Sequence, residues 1–225
     1  MNRKIFVENN SMFFQHMVTI TVTQVSSKKL LARINGNGRG WVFTPKAFAD
    51  LGDPRVVGVV LGRLVAQGKI RKLARGLYDY PKSHPRIGLL SPDPAAIAQA
   101  LVGSDRIRLL PSGAYAANLL RLSEQVPAKI VFLTDGPTRL VKIGRQEIRF
   151  RRTTPRNLET SGRLSGTVIQ ALRHVGKDHI TPERITTLRT VLTEADRKTL
   201  LKDSQFAPAW MRPQLRSIAE DSYHA

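Results

Sequence analysis

Two helix starts nine residues apart fix most of what the first third of this 225-residue chain can become. Thr44-Pro45 and Asp53-Pro54 each set a capping residue directly before a proline. Proline suits the first helical position, where its missing N–H is not needed. The first of these helices is predicted to turn Phe48 and Leu51 inward and to stop at Gly52. The second carries Val56, Val57, Val60, Leu61 and Leu64 as an apolar face of period 3.6. It ends at the glycine stop Gln67-Gly68.

The flanking segments complete a pattern. Ser26 and Ser27 can cap a helix carrying Leu30, Leu31 and Ile34, which the run Asn35 to Gly40 must break. Trp41-Val42-Phe43 reads as a short strand. Lys69–Ala74 and Leu77–Pro81 read as two strands around Arg75-Gly76. Helix, strand, helix, helix, basic hairpin is the order of a winged helix-turn-helix. There the second helix braces the third, the third faces the major groove and the hairpin lies against the backbone.

Charge gives that order a partner. The chain has 36 Lys and Arg against 17 Asp and Glu, a formal net charge of +19. Residues 24–82 hold 12 of those bases and 3 Asp, so about a quarter of the chain carries nearly half the excess. A clustered excess of this kind points to a polyanion, most often nucleic acid. With the apolar side buried, the last helix of the motif shows Arg55, Gly58, Val59, Gly62 and Arg63. Arg55 lies near the N-terminus, where base edges are read, and can take a guanine bidentately. Lys46, Arg71, Lys72 and Arg75 suit phosphate contacts. The expected DNA-binding set is Thr44, Lys46, Arg55, Val59, Arg63, Lys69, Arg71, Lys72 and Arg75. A solvated face without a partner stays open for Arg55 and Arg63.

Residues 83–91 read as a linker and 92–225 as a second domain. Its signals are a helix from Pro94 to about Val102, a strand at 108–110 and a helix from Gly113 to Leu122 capped by Ser112. Tyr115, Leu119 and Leu122 are expected on one side of the latter. A strand follows at Lys129–Thr134, then a hairpin of 139–143 and 147–152 around Gly144-Arg145. Four helical stretches end the chain. The fold class is therefore α+β: a winged helix-turn-helix, then a small antiparallel sheet with helices and a helical tail. Arg139, Lys142, Arg145, Arg149, Arg151, Arg152 and Arg156, against Glu147 alone, form a second basic cluster expected to bind a partner. Arg149 and Arg151 share one strand face.

Few enzyme classes fit. The chain has no cysteine, which excludes disulfides, Cys-based zinc sites and thiol nucleophiles. His174 and His179 are five apart and would not share a helix face, so no metal site is expected. Gly103-Ser104 is not followed by an Asp-x-Asp pair, no nucleophile elbow or P-loop occurs, and the G-x-G-x-G at Gly36 to Gly40 precedes a strand. No catalytic residue, metal or cofactor is expected. No apolar run reaches the roughly 18 residues of a membrane span, and a cytoplasmic protein is expected. Residues 1–23 are expected to be a flexible extension, with Met1 and Met17 both open as the start.

Phe43-Thr44-Pro45 through Gly52, Leu64 through Ile70 and Arg75-Gly76-Leu77-Tyr78 resemble the N-terminal domain of AbiEi-type antitoxins. Leu110 through Leu120, Gln125 through Val131 and Leu133-Thr134-Asp135-Gly136 resemble that group as well. Arg151 through Asn157 and Ala207-Pro208-Ala209-Trp210-Met211 resemble its DUF6088 branch. The chain departs at Gly58 and Gly62, where the family more often has polar residues. The resemblance implies a type IV toxin–antitoxin system. Its antitoxin represses its own operon by binding double-stranded DNA at promoter inverted repeats. Its C-terminal domain counters a nucleotidyltransferase-like toxin or protects that toxin's nucleic-acid substrate. The alternative is a winged-helix regulator whose C-terminal domain senses a ligand or partner, with no toxin.

Overall fold

The computed structural model describes residues 27–103 and 107–220. The expected extension 1–23, the capping Ser26 and Ser104 lie outside the described residues. The chain divides into two compact units, 1–103 and 104–225. The boundary is not the one expected at 91–92. Helix α3 (Pro94–Val102) buries Ile97, Ala98 and Val102 and packs beside β1 (Val42–Phe43), so it completes the first unit.

In the first unit, α1 spans 27–37. It runs through Asn35 and Gly36, which were expected to break it. Leu30 and Ile34 are fully buried and anchor its last turns. The chain turns only at 38–40. The expected helix after Thr44 is a single 3-10 turn, Pro45–Phe48, and the Thr44 side chain makes no capping bond. One turn is enough to deliver Phe48 to the core, and Arg33 then ties the segment down from α1. Its guanidinium donates to the Ala47 carbonyl at 2.7 Å and to both Asp50 carboxylate oxygens at 2.6 Å. Helix α2 (Pro54–Ala66) forms as the sequence predicts, with the Asp53 carboxylate accepting from the Arg55 N–H at 2.7 Å. Leu30 and Ile34, Phe43, Phe48, Val57, Val60, Leu61, Leu64 and Ile70 make one core. Phe43 and Phe48 meet edge to face at 5.4 Å.

Strands β2 (Arg71–Ala74) and β3 (Leu77–Asp79) form an antiparallel sheet with β1 in the order β1-β3-β2. Residues 83–91 are no plain linker. They hold a second hairpin, β4 (Ser83–His84) and β5 (Gly88–Leu89), turned at Pro85-Arg86-Ile87. Gly88 sits at φ +72°, a conformation that glycine adopts without steric penalty.

The second unit is built on four strands, β6 (Leu109–Ser112), β7 (Lys129–Thr134), β8 (Arg139–Ile143) and β9 (Gln146–Arg152), in the order β6-β7-β9-β8. The expected antiparallel sheet is in fact mixed, because β7 and β9 pair in parallel. After β7 the chain skips one strand position, and the tight turn at Gly144-Arg145 returns β9 into the gap. Helix α4 (Gly113–Leu119) lies against one sheet face, with Tyr115 edge to face on Phe132 at 5.5 Å. It ends at Leu119, not Leu122. Leu119 is exposed and Leu120 takes the buried position. Ser112 does not cap this helix. It is buried, and its Oγ donates to Gln170 on α5 (Leu164–Val175) at 3.3 Å. Helices α6 (Pro182–Val191), α7 (Glu194–Asp203) and α8 (Arg212–Ala219) close a separate helical core with α4 and α5 through Leu172, Leu188, Leu200 and Leu215.

The close packing of α5 rests on one glycine. A Cβ on Gly166 would lie 2.4 Å from the Thr160 carbonyl oxygen and 2.8 Å from Leu110 Cδ1. Asp203 is buried beside the same helix start, accepting from Ser165 Oγ and from Arg163 Nε at 3.1 Å. No helix among the described residues is long and apolar enough to cross a membrane.

Candidate nucleic-acid interface

Every carboxylate among the described residues of the first unit is engaged inside it. There are four, all Asp, against 13 Lys and Arg. Asp53 and Asp93 accept the first free N–H groups of α2 and α3. Asp50 holds Arg33, and this pairing lowers its pKa to about 2 while raising that of Arg33. Asp79 is buried at 1% exposure and paired with Arg71, whose Nε and Nη2 donate to its two oxygens at 3.0 and 2.6 Å. The hydrogen bond to Asp79 raises the Arg71 pKa further.

This pairing corrects one expectation. Arg71 was assigned to a phosphate, but its guanidinium also donates to the Leu90 carbonyl at 3.0 Å. It is a structural strut, because a buried carboxylate without a cation is strongly destabilising. The β2–β3 register sets Arg71 opposite Asp79, which is what brings the two together.

The other expected residues lie on the surface. Arg55, Gly58, Val59, Gly62 and Arg63 are all exposed, on the side of α2 away from Val57, Val60, Leu61 and Leu64. Val59 is 54% exposed in the middle of that stripe. Lys46 is exposed on the 3-10 turn and Lys69 where α2 leads into β2. Lys72 is exposed on β2, and Arg75 at the tip of the hairpin. Thr44 is half-buried. A Cβ at Gly58 or Gly62 would meet nothing within 4 Å, so packing inside the unit does not require either glycine. The result is a low, cation-edged helix face whose cations are paired with no carboxylate among the described residues of this unit, and the one carboxylate at its edge, Asp53, caps the helix start.

The second basic cluster does not form a single surface. Arg149 and Arg151 point to one face of the mixed sheet together with Leu140 and Lys142 of β8. Lys142 is paired with Glu147 at 3.2 Å. Arg139 and Arg152 alternate to the opposite face, Arg145 is in the turn, and Arg156 is on the 3-10 turn Pro155–Leu158. Asp135 accepts from both the backbone N–H and Nε of Arg108 at 2.9 Å.

Sequence reading missed the exposed hairpin at 83–89 and the two arginines that hold its base. Arg39 donates to the Pro81 carbonyl at 3.1 Å, with its guanidinium 4.8 Å from the centre of the Tyr80 ring. Arg71 holds Leu90. The signal available was Pro85-Arg86-Ile87-Gly88, a proline and a glycine spaced for a turn.

No curated protein matches the chain. The model of a family described only as of unknown function matches residues 29–200, most of both units, and the chain belongs to that family, DUF6088.

Proposed function

We propose that the chain is a DNA-binding antitoxin. In this reading the first unit is a winged helix that represses the protein's own operon, and the second unit counters a nucleotidyltransferase-like toxin. The observation that carries the DNA half is the separation of charge. All four Asp are consumed internally, while Arg55, Arg63, Lys46, Lys69, Lys72 and Arg75 stay exposed along α2 and the β2–β3 tip. Phosphates would be met by the lysines and Arg75, and base edges by Arg55. The antitoxin half is supported by the resemblance of the segments at 43–78 and 110–136 to AbiEi-type antitoxins, and by the basic sheet face at Arg149 and Arg151.

The test of the antitoxin half is growth under co-expression with the neighbouring gene. The full chain should restore growth, and the double reversal Arg149→Glu/Arg151→Glu should not. Both residues are exposed, so melting should change little. Failure of the wild-type chain to rescue growth favours a second reading, a winged-helix regulator whose second unit senses a ligand. One observation speaks for that reading. An open cavity of about 540 Å³ in the second unit is lined by Arg189, Arg212, Arg216 and Glu220.

A further inference from the structure

We infer that the β4–β5 hairpin is a DNA arm whose tip, Pro85-Arg86-Ile87, enters a minor groove beside the site held by α2. The inference rests on the DNA-binding reading of the first unit and adds a second reading element to it.

Every residue from Lys82 to Leu89 is exposed. Ile87 is 72% and Leu89 63% exposed, among the barest large apolar side chains of the described residues. Two-residue strands with no core of their own are marginal in water. Yet the base of this hairpin is fixed three times over. Arg71 bridges the buried Asp79 to the Leu90 carbonyl, Arg39 holds the Pro81 carbonyl, and the Leu90 N–H donates to the Lys82 carbonyl at 2.8 Å. A firm base under a bare apolar end is the build of a contact element.

Charge selects the occupant. From Tyr80 to Pro92 there is no carboxylate, while Lys82 and Arg86 are both exposed. That composition repels other basic surfaces, including a second copy of this unit, and suits a polyanion. The tip chemistry suits the minor groove in particular. Arginine is drawn to the enhanced negative potential of a narrow groove, and isoleucine and proline are wedge residues that enter between base steps.

The topology gives the arm its place. Strand β3 begins beside the Arg75-Gly76 tip and runs out at Asp79 toward the arm, so the two tips leave from opposite ends of one sheet.

The test is equilibrium binding of the full chain to short duplexes that differ only in their flanks, made of A·T, G·C or inosine·C pairs. Inosine lacks the 2-amino group of guanine. An inosine·C pair therefore matches A·T in the minor groove and keeps the O6 and N7 acceptors of guanine in the major groove. A·T and inosine·C flanks should bind alike, about fivefold or more tighter than G·C flanks. Arg86→Ala and Ile87→Ala should each abolish that preference, and Arg86→Ala alone should also reduce the salt slope by about one. Equal affinity for all three flanks in the wild type overturns the arm while leaving DNA binding by α2 in place. Tip variants that keep the flank preference overturn it too. So do variants that leave flank preference intact but change the particle mass in light scattering, which would make the hairpin a protein contact. Absence of binding to any duplex at low salt removes the DNA reading itself, and the arm with it.

Discussion

Removing Arg71 should weaken the first unit far more than removing its neighbour Lys72. The Asp79 carboxylate is 1% exposed, and Arg71 supplies both of its long-range hydrogen bonds through Nε and Nη2. Arg71→Ala leaves a buried charge with no cation, a change that typically costs about 3–5 kcal/mol. The Arg71 side chain retains 30% exposure, so water can reach part of the site, and the lower end, about 3 kcal/mol, is expected. For a unit of this size that corresponds to a fall of roughly 12–24 °C in the Tm of its transition. Lys72→Ala should move stability by no more than about 0.5 kcal/mol. The assay is urea unfolding of the full chain carrying Trp210→Phe, so that Trp41, the one tryptophan left, reports the first unit. The double replacement Arg71→Met/Asp79→Leu should recover most of the loss, since a buried ion pair and an apolar pair of similar volume are often close in stability. A loss below about 1 kcal/mol for Arg71→Ala, or no recovery in the double variant, would refute the argument that this ion pair holds the sheet and the base of the arm.

Glycines on two helices should respond in opposite directions. Gly166→Ala sets a Cβ 2.4 Å from a backbone carbonyl oxygen and should cost about 1–3 kcal/mol or more, read from chemical unfolding. Gly58→Ala and Gly62→Ala meet open space and should each stabilise α2 by up to about 1 kcal/mol while weakening DNA binding, if the helix approaches DNA closely there. The Arg33–Asp50 pair makes stability depend on pH. The Asp50 pKa is lowered to about 2 in the folded state, so its contribution is complete above the ordinary carboxylate range near 4 and is lost as pH falls from there toward 2. Unfolding curves of wild type and Asp50→Asn should therefore differ at pH 6 and converge by about pH 2.

Local chemistry made much of the first unit legible. Asp53-Pro54, the period-3.6 face of α2 and the Gln67-Gly68 stop are signals within one element, and α2 formed where they placed it. The outward stripe Arg55, Val59, Arg63 followed directly, because fixing the buried face of a helix fixes the opposite one. What failed depended on partners distant in sequence. Arg71 looked like a free cation until the strand register set it against Asp79, and nothing in Arg-Lys-Leu-Ala marks it apart from Lys72. Ser112 carries a capping residue's chemistry but spends its hydroxyl on Gln170, 58 positions away. The parallel β7–β9 pairing is likewise invisible locally, since consecutive strands were assumed to be neighbours. The hairpin at 83–89 was read as a linker because its strands are two residues long and bury nothing, so no periodicity records them.

The salt dependence of duplex binding tests the central claim most directly. Lys46, Arg55, Arg63, Lys69, Lys72 and Arg75 are exposed and without a carboxylate partner among the described residues. If about five phosphates are neutralised, the plot of log K against log salt for the full chain should fall with a slope of about −4.5. Lys72→Ala should reduce that slope by about one without changing sequence preference, whereas Arg55→Ala should lower the preference for the chain's own promoter over random duplex. A flat salt response, or identical losses for the two variants on both duplexes, would contradict the account.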